Sequence, residues 1–427
     1  MATSRFPHAR RAALRSACCA ALSLSLSLAS LTSLAAGGVA SAKGGGKAPA
    51  YSYFVTGTAY FTAGNLTPLR PLPNTLPTAV KPLVLMGGGP DVDSAYRWMI
   101  DKAGIRPGTG GRFVVIRSTG TDAYDPYLLY SDASNATNTA AVDGFVGGAF
   151  LGLTAAETLI IPSLAAANDA FVNKVLSTAN AVWIAGGDQS SYINNWKGSA
   201  LQATLQGLIA RGVPIGGTSA GANVLGEFIY SAQTGSVTSA QALGNPFNKY
   251  MSFDPQPFSA SSFLAPTGGD HIPALSNTFV DPHFDERDRM GRLVSFMSRS
   301  IASSASFGCA GGVLAAANAR GIGLGVETAL LVQGEGTASQ PFVGQRVTNI
   351  STTTDSAVYF VAPQTSPALC QSGKPLTVQN MRVKKLADSN SQFNLSNWQA
   401  LSGATSDYDV SANAGVLTSS KPGGGLY

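Results

Sequence analysis

Residues Arg211 to Asn223 (RGVPIGGTSAGAN) constrain the fold more than any other stretch. Val213, Pro214 and Ile215 read as the end of a buried strand. Gly217-Thr218-Ser219-Ala220-Gly221 then fits Gly-x-Ser-x-Gly, and Ala220 to Tyr230 is expected to be a helix. Only small residues fit beside a serine in so tight a strand-to-helix turn. The turn lifts the Ser219 hydroxyl clear of the sheet and aims it at the positive end of the following helix. The Ala220 amide then faces any oxyanion formed by attack of that hydroxyl.

A strand that ends this way belongs to a parallel sheet, and the flanking sequence repeats the unit. Pro82–Met86 is a continuous apolar run, followed by Gly87-Gly88-Gly89 and a helix expected over Ser94–Ala103. Further strands are expected at Phe113–Ile116, Thr158–Ile161 and Ala181–Ala185, and helices at Ala167–Ala179 and Ser191–Ala210. This alternation predicts an α/β fold, a mostly parallel sheet with helices on both faces. Active sites of such sheets lie beyond the carboxyl ends of the strands. Gly87–Gly89, Gly186–Gln189 and Ser219 all fall there.

Later residues read differently. Ser231–Asp270 is poor in charge and reads as a surface excursion. Thr278–Val280 is a short strand running into Asp281-Pro282-His283-Phe284. Glu286–Ser300 is an expected helix, and Gly323–Val332 regains strand character. Beyond about Gln340, Ser, Thr and Val dominate. The expected organisation is a signal peptide at 1–42, a linker and edge segment at 43–75, an α/β domain at 76–335 and a β-rich C-terminal region at 336–427.

The start of the chain has a basic segment, an apolar run from Cys18 to Ala36 and a small-x-small site at Ala40-Ser41-Ala42. That pattern predicts secretion, extracellular or periplasmic. The leader carries four arginines and no acid, so its removal lowers the formal net charge from +5 to +1. The balance gives no warrant for nucleic-acid binding. No stretch outside the leader is apolar enough to span a bilayer, so no membrane partner is expected. Cys309 and Cys370 remain as an even pair whose bonding the spacing leaves open. Two histidines in the mature chain, with no Cys-x-x-Cys or His-Glu-x-x-His, argue against a metal site or cofactor.

A serine hydroxyl needs a base within hydrogen-bond reach. The candidates are His283, at a strand end as Ser219 is, and His271 in a Gly-rich loop; the first is preferred. A carboxylate should orient the ring. Between Ser219 and His283 the acids are Glu227, Asp254, Asp270 and Asp281, and the residues do not choose among them.

Three segments resemble the cyanophycinase and dipeptidase E family of serine peptidases: Ala185-Gly-Gly-Asp-Gln189 with Tyr192–Trp196, Gly217–Ala222, and Asp281-Pro-His-Phe-Asp-Glu-Arg-Asp-Arg-Met-Gly-Arg292. The likeness is greatest to the secreted bacterial cyanophycinases. It implies a class I glutamine-amidotransferase-like sheet, a Ser219 nucleophile, a His283 base, and an oxyanion hole from the amides of Ala220 and Gly187. Gln189, Asp281, Arg287, Arg289 and Arg292 match substrate-recognition positions. The implied reaction is exopeptidase release of β-Asp-Arg dipeptides from cyanophycin, an arginine-bearing polyaspartate. The implied partner is that polymer or another Asp/Arg-containing peptide, and a homodimer stays open. Alternatives are a related aspartyl-directed dipeptidase, an α/β-hydrolase-type esterase, and a catalytically inactive binding protein.

Overall fold

The elements run in the order β1 (Ser52–Gly57), β2 (Leu83–Met86), α1 (Asp93–Lys102), β3 (Arg112–Arg117), α2 (Tyr124–Leu129), α3 (Gly148–Leu151), β4 (Ala155–Ile160), α4 (Leu164–Ala167), α5 (Ala170–Ser177), β5 (Ala181–Ile184), α6 (Gln189–Trp196), α7 (Ala200–Ala210), β6 (Ile215–Thr218) and α8 (Ala220–Asn223). There follow β7 (Ile229–Tyr230), α9 (Ser239–Gly244), β8 (Phe253–Asp254), β9 (Thr278–Asp281), α10 (Met290–Ser300), β10 (Arg320–Leu324) and β11 (Thr328–Gln333). The remainder is strand: β12 (Val343–Thr348), β13 (Val358–Pro363), β14 (Val378–Leu386), β15 (Gln392–Asn394), β16 (Gln399–Ser402), β17 (Thr405–Asn413) and β18 (Val416–Ser419). The computed structural model describes residues 49–74, 80–130, 144–264, 272–304, 307–352, 356–403 and 405–427. The expected leader at 1–42, with Asp270 and His271, lies outside them.

Among the described residues one sheet has the order β1-β4-β3-β5-β6-β2-β11-β12-β15-β16. The run β4-β3-β5-β6-β2 is parallel throughout, and the strands added on either side are antiparallel. Its parallel strands are apolar on both faces because helices cover both. Leu83, Leu85, Val114, Ile116, Val182 and Ile184 pack with α5, α6 and α7. The intervening Val84, Met86, Phe113, Val115 and Trp183 pack with α1 and α2. The α/β expectation therefore holds, with a parallel centre and antiparallel flanks.

A second sheet has the order β18-β17-β14-β13-β10-β9. It is antiparallel except for β9 beside β10. The helix α10 lies against it, burying Leu293, Phe296 and Met297 with Phe279, Tyr359 and Val361. Strands beyond residue 336 thus complete both sheets: β12, β15 and β16 extend the first, and β13, β14, β17 and β18 the second.

Local expectations differ in four places. The helix expected over Ser191–Ala210 is two, because Gly198 takes φ +75° and Ser199 starts a new helix by accepting from the Gln202 amide. The helix after Ser219 has only four residues, since the chain turns to bond Phe228 N to Thr278 O at 3.2 Å. The helix expected from Glu286 begins at Met290, leaving 285–289 as a turn. Gly323–Val332 is split between two sheets, β10 in one and β11 in the other.

Cys309, just after α10, is bonded to Cys370 between β13 and β14, with Cα atoms 5.1 Å apart and 61 positions of sequence between them. Closing a loop of that length removes about 4 kcal/mol of unfolded-chain entropy in the loop-closure model. Cys370→Ser should lower the unfolding free energy by up to about that amount. Urea denaturation of the oxidised wild type and of the variant checks it, with a midpoint shift that vanishes when both are reduced.

Candidate active site

The two sheets meet where β2 and β6 of the first, and the edge strand β9 with its neighbour β10 of the second, come to their carboxyl ends. There Ser219 sits between β6 and α8 with φ 52° and ψ −121°, a backbone conformation that a non-glycine residue holds only under constraint. Its amide donates to the Met86 carbonyl of β2 at 3.0 Å, and its carbonyl accepts from the amides of Ala222 and Asn223 at 3.0 Å each. Glycine is obligatory on both sides. A Cβ on Gly217 would lie 2.5 Å from Gly221, and one on Gly221 would lie 2.0 Å from the Ile184 carbonyl oxygen.

His283 reaches the serine from the other sheet. It follows the last residue of β9 by two positions, at φ 48°. Its amide donates to the Gly87 carbonyl at 2.9 Å, and the Phe284 amide to the Leu324 carbonyl at 3.0 Å. The imidazole lies against Gly88, where a Cβ would come within 2.5 Å of Nε2. The Asn223 side chain of α8 donates to the Val280 carbonyl of β9 at 2.9 Å, so the element after the serine is laced to the strand before the histidine.

Ser219 Oγ and His283 Nε2 are 2.9 Å apart, and His283 Nδ1 lies 2.9 Å from Glu286 Oε2. An ionised carboxylate only accepts, so Nδ1 carries the proton and Nε2 is free to accept from the serine hydroxyl. Burial lowers the proton affinity of His283 below the ordinary 6.5, with Arg287 and Arg289 pushing the same way against Glu286. The hydrogen bond from His283 holds the Glu286 carboxyl below its ordinary value. The arrangement is a neutral base on a hydroxyl, oriented by a carboxylate.

That carboxylate corrects the expectation, which confined it to acids before His283. Glu227 accepts from the Asn277 amide, Asp254 is bound to Lys197 and the Phe263 amide, and Asp281 is turned inward. Glu286 lies outside that interval, in a run that reads as the start of a helix. In the observed turn, a residue three positions after the histidine folds back onto its ring.

The expected oxyanion donors also gather here. Ala220 is the first residue of α8, and a Cβ on Gly186 would lie 3.3 Å from that of Ser219, so the turn carrying Gly187 abuts the serine. Tyr192 Oη fixes that turn by donating to the Ala185 carbonyl at 2.8 Å and the Gly186 carbonyl at 3.2 Å. Four residues make too short a helix for a large dipole, so any anion stabilisation rests on the amides themselves. Gln189 opens α6, its amide nitrogen 3.5 Å from the Tyr230 carbonyl.

Residues 147–250 match the model of the Peptidase family S51. The match contains Gly186–Gln189 and the Ser219 elbow but stops short of His283. Among solved structures, one of a peptidase from an acI-B1 actinobacterium has 14% identity and a TM-score of 0.37, covering 78% of this chain and 98% of that one. A candidate peptidase E protein from Listeria monocytogenes EGD-e has 15% identity and a TM-score of 0.34, covering 63% and 100%. No curated protein matches.

The arginines expected to meet substrate sort by depth. Arg292 is buried and forms a two-point pair with Asp281, its Nε 2.8 Å from Oδ2 and its Nη2 bonded to Oδ1, while its guanidinium lies 5.0 Å from the Tyr230 ring centroid. Arg292 and Asp281 are thus spent on each other beneath the site, which removes both from direct substrate contact. Arg289 is half-buried, donating to the Pro282 carbonyl at 2.6 Å and lying 3.5 Å from Asp281 Oδ1. Burial lowers its pKa to about 10 against the opposing pull of Asp281, and the neighbouring Arg292 and Arg287 add to the shift. Arg287 is exposed beside Glu286.

Breaking a buried pair leaves an uncompensated charge. Asp281→Asn should therefore cost on the order of 3–5 kcal/mol of stability, whereas Arg287→Ala should change it by no more than about 0.5 kcal/mol. Chemical denaturation of the two variants side by side checks the contrast.

Proposed function

We propose that this chain is a serine peptidase. The observation that carries the reading is the unbroken Ser219–His283–Glu286 relay, with both contacts at 2.9 Å. Ser219 Oγ adds to a peptide carbonyl carbon as its proton passes to His283 Nε2. The amides of Ala220 and Gly187 stabilise the oxyanion. The C–N bond breaks as the imidazolium returns the proton to the departing amine, and water then hydrolyses the acyl-enzyme by the same route reversed. The match of residues 147–250 to a peptidase family supports it.

The substrate proposed is cyanophycin, cleaved to β-Asp-Arg dipeptides. Arg287 and Arg289, on the turn that holds Glu286, suit the carboxylates of a polyaspartate backbone. A cavity of about 640 Å³, lined by Asp91, Asp93, Tyr124 and Tyr127 and by none of Ser219, His283, Arg287 or Arg289, starts at Pro90, the residue after Gly87–Gly89. Burial raises the Asp91 pKa to about 6. Carboxylates and phenol rings suit a guanidinium. An aspartyl-directed dipeptidase is the second reading, since Arg287 and Arg289 alone would serve an acidic residue without arginine. Export is proposed as well, and the Cys309–Cys370 disulfide supports an oxidising destination.

Ser219→Ala should abolish clearing of insoluble cyanophycin, with β-Asp-Arg appearing by mass spectrometry only for the wild type. Undiminished clearing by the variant removes Ser219 from the mechanism. Release of aspartate from α-aspartyl dipeptides, with cyanophycin untouched, selects the second reading.

The depressed proton affinity of His283 gives a pH dependence. Only the neutral ring accepts the serine proton, and its pKa lies below 6.5. Activity should rise with pH through a midpoint under 6.5 and stay level to neutrality. A kcat/KM profile between pH 4 and 8, a range spanning the ordinary values of both carboxylate and imidazole, measures it.

A further inference from the structure

Tyr427 lies beyond β18, far from Ser219 in sequence, yet its side chain reaches the turn that carries Glu286. The phenol oxygen accepts from the Met290 amide at 2.9 Å, at the first residue of α10, and donates to Asp288 Oδ1 at 2.9 Å. Its ring packs edge-on against Phe284 and Tyr359, both centroids 5.8 Å away, and those two rings lie 5.1 Å from each other. The segment bearing it is itself held, since Tyr408 Oη donates to the Leu426 carbonyl at 2.7 Å and Lys421 bonds to the Tyr427 carbonyl.

The turn needs such a hold. Asp288 takes φ 48°, a conformation that costs a non-glycine residue free energy. On the inner side, Ser239 donates to the Asp288 carbonyl and accepts from the Arg292 amide. On the outer side, Tyr427 holds the Asp288 carboxylate. Glu286, two residues earlier, is half exposed, and its side-chain contacts are with His283 and Arg287. Its place is therefore set by the turn and not by packing around its carboxylate.

We propose that Tyr427 is a positioning residue, whose hydroxyl locks the 285–289 turn so that Glu286 stays on His283 Nδ1. The β-rich region thereby becomes part of the catalytic apparatus without touching substrate. The inference rests on the serine-peptidase reading for its kinetic arm alone. Glu286 raises the proton affinity of His283, while burial, Arg287 and Arg289 lower it. Loosening the turn should move the imidazole pKa further down.

Tyr427→Phe keeps the ring packing and removes only the hydroxyl. It should lower kcat on the order of tenfold, in line with two lost hydrogen bonds, and shift the His283 titration measured by NMR to lower pH. Asp288→Ala, which removes the acceptor, should move both readouts in the same direction. In a Glu286→Ala background, Tyr427→Phe should change kcat less than about twofold, because the group it positions is already gone. The proposal is overturned if the His283 midpoint is unmoved, or if the loss is as large in the Glu286→Ala background as in the wild type. A wild type that cleaves no peptide defeats the peptidase reading instead, and the NMR titration still decides the clamp.

Discussion

One backbone hydrogen bond joins the halves of the site: the His283 amide to the Gly87 carbonyl, 2.9 Å. Gly87 follows β2 of the first sheet, and His283 follows β9 of the second. Without that junction, serine and histidine would sit on the rims of two different sheets. The crowding around it explains the glycines. Gly87 is pressed against the Gly325 carbonyl and Gly88 against the imidazole, so no side chain fits at either. The Asn223–Val280 bond repeats the junction one layer away. These ties, with the Phe228–Thr278 bond, fix the ring against the hydroxyl better than any single contact between the two side chains.

How much of this could be read from residues alone follows from what each signal encodes. Apolar runs such as Leu83–Met86 and Ala181–Ile184 are buried on both faces, so composition exposes them directly, and the parallel centre was legible. The Ser219 turn was legible because steric limits restrict which residues can flank it. Strand partnership was not. Gly323–Val332 reads as one strand, and only a left-handed residue, Glu327 at φ 54°, lets β10 and β11 enter different sheets. The same blindness hid Glu286. Helical patterning in 290–300 extends smoothly upstream, and nothing in a charge-rich run announces that Asp288 will adopt positive φ and fold 285–289 back on itself.

The run Asp281 to Arg292 shows how solvation sorts identical chemistry into different roles. Each ion taken from water loses several kcal/mol of hydration, so burial is tolerated only with near-complete pairing. Arg292 meets Asp281 through two nitrogens, and that pair goes inside. Arg289 stays between the pair and solvent, only loosely paired with Asp281 at 3.5 Å, and burial with two neighbouring cations outweighs that carboxylate in lowering its proton affinity. Such a group gains from an arriving anion, since a carboxylate offsets both penalties at once. Depth therefore separates scaffold from ligand-facing residue where sequence spacing does not.

The exposure of Glu286 has a consequence for how the relay works. A buried carboxylate is immobilised by packing, and its charge acts strongly through low dielectric. Glu286 is roughly half exposed, so water screens its charge and its Coulombic pull on His283 is modest. The hydrogen bond is accordingly the larger of its two influences on the ring, and a hydrogen bond is short-ranged and directional. A relay that depends on direction more than on charge is sensitive to small displacements of the turn. That makes the restraints outside the relay, Ser239 from within and Tyr427 from the β-rich region, as consequential as the three side chains they serve.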